Sequence, residues 1–130
     1  MMQEILVVDD DRQNLGLVRH LLENEQITVQ CATSGEEALR KLKKNTFDLM
    51  ITDLNMPGLD GFELARKAAV IAPLMPIVMF TGDMSPDVLS EAKGAGIITV
   101  LAKPFHPNAM LEAIRSVVGD RKERAACHCQ

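Results

Sequence analysis

Apolar residues concentrate along this chain in five short runs, of which the first and fourth are continuous: Ile5 to Val8, Ile27 to Cys31, Leu49 to Thr52, Ile77 to Phe80 and Ile97 to Ala102. Their shortness and their β-branched content favour strand over helix. A strand that is apolar without alternation is covered on both faces, as in a parallel sheet. Between the runs the period lengthens. Leu15, Val18, Leu21 and Leu22 form one helical stripe within Asn14 to Asn24. Ser34 caps a second helix with Glu37 as its capping-box partner; Ala38, Leu39 and Leu42 face inward, and Lys43-Lys44-Asn45 suit its end. Asp60-Gly61 opens a third helix through Phe62, Leu64 and Ala65. Ser85-Pro86 opens a fourth, which carries Val88, Leu89 and Ala92 and stops at Gly94. His106-Pro107-Asn108 opens a fifth, with Met110, Leu111, Ile114, Val117 and Val118 apolar and Gly119 as its end.

Five βα units in alternation predict an α/β fold, a parallel sheet with helices on both faces. Right-handed crossovers leave few topologies, and ligands of such sheets sit beyond the carboxyl ends of the strands. The 130 residues, 47% hydrophobic and 25% charged, make one domain with a real core and exclude disorder as the main state. The domain is expected over residues 1–119, with 120–130 a polar tail or truncated linker. A net charge of −4 excludes gripping nucleic acid by bulk charge. Aromatic residues at 3%, with no Trp or Tyr, argue against base stacking or a flat-ring cofactor. Three cysteines do not make a disulfide framework, and a reducing, cytoplasmic location is expected. No apolar run is long enough to span a bilayer, and Met1-Met2-Gln3-Glu4 lacks the basic start of a signal peptide.

The residues that follow the strands carry the chemistry. Strand one ends in Asp9-Asp10-Asp11, strand three in Asp53, strand four in Thr81-Gly82-Asp83 and strand five in Lys103-Pro104-Phe105. A parallel sheet brings these ends to one edge, the central ones spaced roughly 5 Å per strand. Converging carboxylates repel, and a hard divalent cation such as Mg²⁺ relieves that repulsion with few protein ligands. A lysine adds a second positive charge, and a threonine hydroxyl donates one hydrogen bond to an oxyanion. Together they make a receptor for a phosphoryl group, and a carboxylate can accept it as an aspartyl-phosphate. Taken singly, each residue has a blander role: Asp11 and Asp60 as helix caps, Thr81 and Lys103-Pro104 as turns. The conjunction at the ends of one sheet is what points to a site.

These residues make the chain resemble a response-regulator receiver domain of two-component signalling. The resemblance rests on Val7-Val8-Asp9-Asp10, Asp53 to Gly61 (DLNMPGLDG), Thr81-Gly82 and Lys103-Pro104-Phe105, with Cys31 to Leu39 similar to the family's second strand and helix. It covers about residues 3–118. It implies a flavodoxin-like (βα)5 three-layer sandwich with a five-stranded parallel sheet of order 2-1-3-4-5. It also implies that Asp53 is phosphorylated by the phosphohistidine of a histidine kinase or a phosphotransfer protein. Mg²⁺ would be held by Asp10, Asp53 and the Asn55 backbone carbonyl, with Asp9 acting through water. Thr81 and Lys103 would hold the phosphoryl oxygens, Gly82 would leave room for small phosphodonors, and a cis Lys103-Pro104 bond would aim the lysine. No separate substrate turnover is expected. The responding surface would be helix four, strand five and helix five, about residues 85–118, where partners or a second copy dock. The family commonly has an aromatic three residues before the lysine; here Val100 stands there, which puts the coupled threonine–aromatic switch in question. Asn55 and Asp83 occupy positions that tune dephosphorylation in the family.

The remaining chemistry-bearing residues favour structural roles. Cys31 reads as a buried strand residue, His20 as outer-face, His106 as a turn residue, and Cys127-His128-Cys129 as three clustered ligands lacking a fourth. A flavodoxin would need a hydroxyl- and glycine-rich loop and aromatics. A haloacid-dehalogenase-like phosphatase would need a second aspartate where Asn55 stands. A receiver that works unphosphorylated would not require the complete set of site residues.

Overall fold

The computed structural model describes the backbone of residues 3–128 and side chains as far as Val118. Strands and helices alternate as β1 Glu4–Val8, α1 Arg12–Glu23, β2 Thr28–Ala32, α2 Gly35–Lys44, β3 Leu49–Asp53, α3 Gly61–Ile71, β4 Ile77–Thr81, α4 Pro86–Gly94, β5 Thr99–Ala102 and α5 Pro107–His128. All pairings are parallel, in the order β2-β1-β3-β4-β5, as the resemblance implied. Alternate strand residues supply two cores. Leu6, Val8, Met50, Ile77 and Met79 pack with Ala38, Leu42, Leu64, Ala65, Ala68 and Ala92 of α2, α3 and α4. Ile5, Val7, Leu49, Ile51, Val78 and Phe80 pack with Leu15, Val18, Leu22, Met110 and Ile114 of α1 and α5. Among the described residues, no helix is long and apolar enough to cross a membrane.

Local chemistry sets the helix starts. Asp11 caps α1 by accepting from the Gln13 N–H at 2.9 Å, and Ser34 caps α2 by accepting from the Glu37 N–H at 3.1 Å. The expected reciprocal bond from Glu37 goes elsewhere. Its Oε1 accepts from the Thr33 N–H at 2.6 Å and the Thr33 hydroxyl at 3.2 Å, one residue before the cap. The reciprocal capping box is at α3, between Asp60 and Glu63. Ser85 caps α4 with Pro86 in its first turn. Ile27 and Ile97, read as strand residues, are buried in the loops that lead into β2 and β5.

Three further expectations change. Leu89 does not face the core: it is 40% exposed, and Ala92 is the buried residue of α4. Cys31 is half-buried rather than buried, because β2 is an edge strand. The fifth helix does not stop at Gly119 but continues to His128. A mid-helix glycine costs only about 1 kcal/mol. The Arg, Lys, Glu and Ala residues that follow are strong helix formers, so the helix runs through it. The Cys127-His128-Cys129 cluster lies outside the residues whose side chains are described.

Candidate functional site

β1, β3 and β4 are neighbours in the middle of the sheet and end in register, so polar residues at their carboxyl ends meet. Asp9, Asp53 and Thr81 are buried there at 3%, 8% and 1% exposure, while Asp10 reaches solvent. One carboxylate oxygen from each of Asp9, Asp10 and Asp53 lies within 4.8 Å of the others. Lys103, just beyond β5, places Nζ 2.8 Å from Asp53 Oδ1 and 3.6 Å from Asp9 Oδ2. The Lys103-Pro104 peptide bond is cis.

Each group is held by specific partners. The buried Asp9 carboxylate accepts from the Asp11 N–H at 3.0 Å on Oδ1 and from the Asn14 amide at 2.6 Å on Oδ2. Thr81 Oγ1 accepts from the Asp83 N–H at 3.0 Å, which leaves its own O–H free to donate. Asp83 Oδ1 accepts in turn from the Ser85 N–H, tying the loop after β4 to the cap of α4. A Cβ on the exposed Gly82 would meet nothing within 4 Å, so the loop is open at that point.

The loop after Asp53 is tighter. The Gly61 N–H donates to the Leu54 carbonyl at 2.8 Å. A Cβ on Gly61 would lie 2.6 Å from the Asp53 carbonyl oxygen and 2.9 Å from Leu54 Cα, so only glycine fits. Gly58 turns with φ +79°, a conformation that favours glycine. Asn55, in this loop, is exposed.

Burial raises the Asp53 pKa, and the Asp9 charge adds to that; together they outweigh the lowering by Lys103. Burial lowers the Lys103 pKa, but Asp53 and Asp9 together more than reverse it. The ammonium therefore stays charged at neutral pH beside two acids. Three oxygen donors of one sign, one of them open to solvent, fit a small hard cation.

A family model described as the response regulator receiver domain matches residues 5–115. The chain belongs to this family. As a receiver domain it is similar to the CheY-like response regulator receiver domain protein of Methanospirillum hungatei, at 31% identity and a TM-score of 0.91, over 95% of this chain and 99% of that one. It also resembles the chemotaxis protein CheY4 of Vibrio cholerae, at 35% identity and a TM-score of 0.87, over 90% and 99% of the two chains. Virulence sensor protein BvgS of Bordetella pertussis is 37% identical over 88% of this chain, and transcriptional regulatory protein ZraR of Salmonella typhimurium is 30% identical over 95%. The receiver spans only 10% of the length of BvgS and 28% of that of ZraR.

The structure brings Asp9, Asp10, Asp53 and Lys103 together as the sequence led us to expect, with Thr81 at the end of the neighbouring strand. Val100, at the middle of β5, is half-buried against the α2–α3–α4 core. His20 and His106 are exposed; His106 Nδ1 accepts from the Asn108 N–H at 3.1 Å at the start of α5. Sequence reasoning missed Asn14, read only as the start of a helix. Its position five residues after Asp9, in the first turn of α1, was the available signal: that turn faces back over the strand end.

Proposed function

We propose that this receiver accepts a phosphoryl group on Asp53 from the phosphohistidine of a histidine kinase or phosphotransfer protein. The observation that carries the reading is the Lys103 ammonium 2.8 Å from Asp53 amid three converging carboxylates. An Asp53 oxygen attacks phosphorus as the P–N bond to the imidazole breaks, and that bond's electron pair stays on the ring nitrogen. Lys103 and the Thr81 hydroxyl then bind phosphoryl oxygens, and the open space over Gly82 admits the donor. Asp10, Asp53 and the Asn55 backbone carbonyl would hold Mg²⁺, with Asp9 acting through water. The ion, when bound, neutralises charge on the transferring oxygens.

The phosphoryl group adds about −1.5 to −2 of charge. Drawing Thr81 and Lys103 onto it pulls the loops after β4 and β5 together. This biases the α4–β5–α5 surface towards one of its conformations, where an output partner or a second copy of the chain would dock. Absence of a membrane-spanning helix among the described residues is compatible with work in the cytoplasm.

Acetyl phosphate with Mg²⁺, read by intact mass, tests the reading. A Mg²⁺-dependent adduct of one phosphoryl group, absent from Asp53→Asn, is the expected result. No adduct and no Mg²⁺ binding would instead favour a receiver that signals without phosphorylation.

A further inference from the structure

The loop between Asp53 and α3 is clasped from outside by the first turn of α2. Gly35 approaches so closely that a Cβ there would lie 2.8 Å from Leu59 Cβ. Its neighbour Glu36 reaches across 23 positions of sequence, and its Oε1 accepts from the Leu59 N–H at 3.2 Å. The same oxygen would lie 2.9 Å from a Cβ on Gly58, so the carboxylate sits directly over the Gly58–Leu59 peptide. The adjacent Glu37 turns the other way, back to Thr33. The two acids of one helical turn thus have separate tasks: Glu37 closes the entry to its own helix, and Glu36 holds a different loop.

That loop is tethered at both ends. The Gly61–Leu54 bond closes it on the α3 side, and β3 holds it at Asp53. Its middle, Asn55 to Gly58, lacks a strand partner; Met56 is buried in the core, while Asn55, Pro57 and Gly58 are exposed. Met56 anchors the loop in the core, and Glu36 adds a hydrogen bond at Leu59, beside the exposed Gly58 turn. We propose that Glu36 is a positioning residue that fixes the loop carrying the Asn55 carbonyl and so sets the site's affinity for Mg²⁺. This role rests on the phosphoacceptor reading given above. A hydrogen bond accepted by an exposed carboxylate restricts the loop only modestly, so the effect is about threefold in affinity.

The test uses the full chain with Glu36→Ala and Glu36→Gln. Three quantities are measured: exchange of the Leu59 amide without metal, the Mg²⁺ dissociation constant, and the rate of labelling by acetyl phosphate at saturating Mg²⁺. Glu36→Ala should speed Leu59 exchange and weaken Mg²⁺ binding about threefold, with the saturating rate unchanged. Glu36→Gln keeps an acceptor oxygen and should match the wild type in all three. Unchanged Leu59 exchange in Glu36→Ala overturns the proposal, as does faster exchange with unchanged affinity. Equal losses in both variants also overturn it, because they report charge rather than the bond. A wild-type chain that binds no Mg²⁺ defeats the phosphoacceptor reading itself, and this role with it.

Discussion

The loops after β3 and β4 border the same buried carboxylate but are built in opposite ways. The first is over-determined. It has a glycine that no larger residue can replace at Gly61, a positive-φ glycine at Gly58, a reciprocal capping box at Asp60 and Glu63, and a bond to Glu36. The second is loose. Open space surrounds Gly82, Met84 is 42% exposed, and α4 beyond it buries only Ala92. β5, next in the sheet, has three half-buried residues and the exposed Ala102, against the fully buried five of β3. Local opening is easiest where few apolar contacts are lost. The contrast therefore separates a tightly fixed half of the site, which presents Asp53, from a half held by fewer packing contacts.

The largest effect should come from placing one methyl group in each half. Gly61→Ala drives a Cβ into backbone that cannot yield and should cost about 2–3 kcal/mol. Gly82→Ala enters free space and should stay within about 0.5 kcal/mol of the wild type. Urea unfolding of both variants compares them directly; similar losses would erase the distinction. Val100→Tyr probes the less tightly packed half. Val100 brings no ring to couple Thr81 to the surface, so a tyrosine should enlarge the amide shifts that beryllofluoride induces across α4. Unchanged shifts would mean that this position does not relay the signal.

The smallest effect concerns Glu37. Its pKa is held below the ordinary carboxylate range, first by the Thr33 N–H bond. A folded-state pKa that is depressed contributes stability above the unfolded value, about 4.3, and that stability is lost as pH falls through the folded pKa. Glu37→Gln should therefore melt slightly below the wild type at neutral pH. The gap should close as pH falls through the carboxylate range, and a gap independent of pH would show that the bond needs no charge.

Much of the fold was readable because its causes are local. Apolar runs, a stripe of period 3.6 and a Ser, Asp or Pro at a helix start act over a few residues. β1 to β5, the caps at Asp11, Asp60, Ser34 and Ser85, and the strand-end position of the site residues followed from them. Where local rules compete, reading failed: Gly119 looked like a stop, yet the helix formers after it outweighed one glycine. Glu37 looked like the partner of Ser34, yet the Thr33 N–H and hydroxyl gave it a better pair of donors.

The sequence alone determined which elements form, which residues stand at the strand ends and, through its motifs, the receiver family. Only the tertiary structure decided how those residues meet. The distance from Lys103 to Asp53 and the reach of Glu36 to Leu59 join residues from different βα units. Such contacts depend on strand order and register summed over the whole sheet. No short window of sequence contains them, because their geometry exists only once both helical layers have packed.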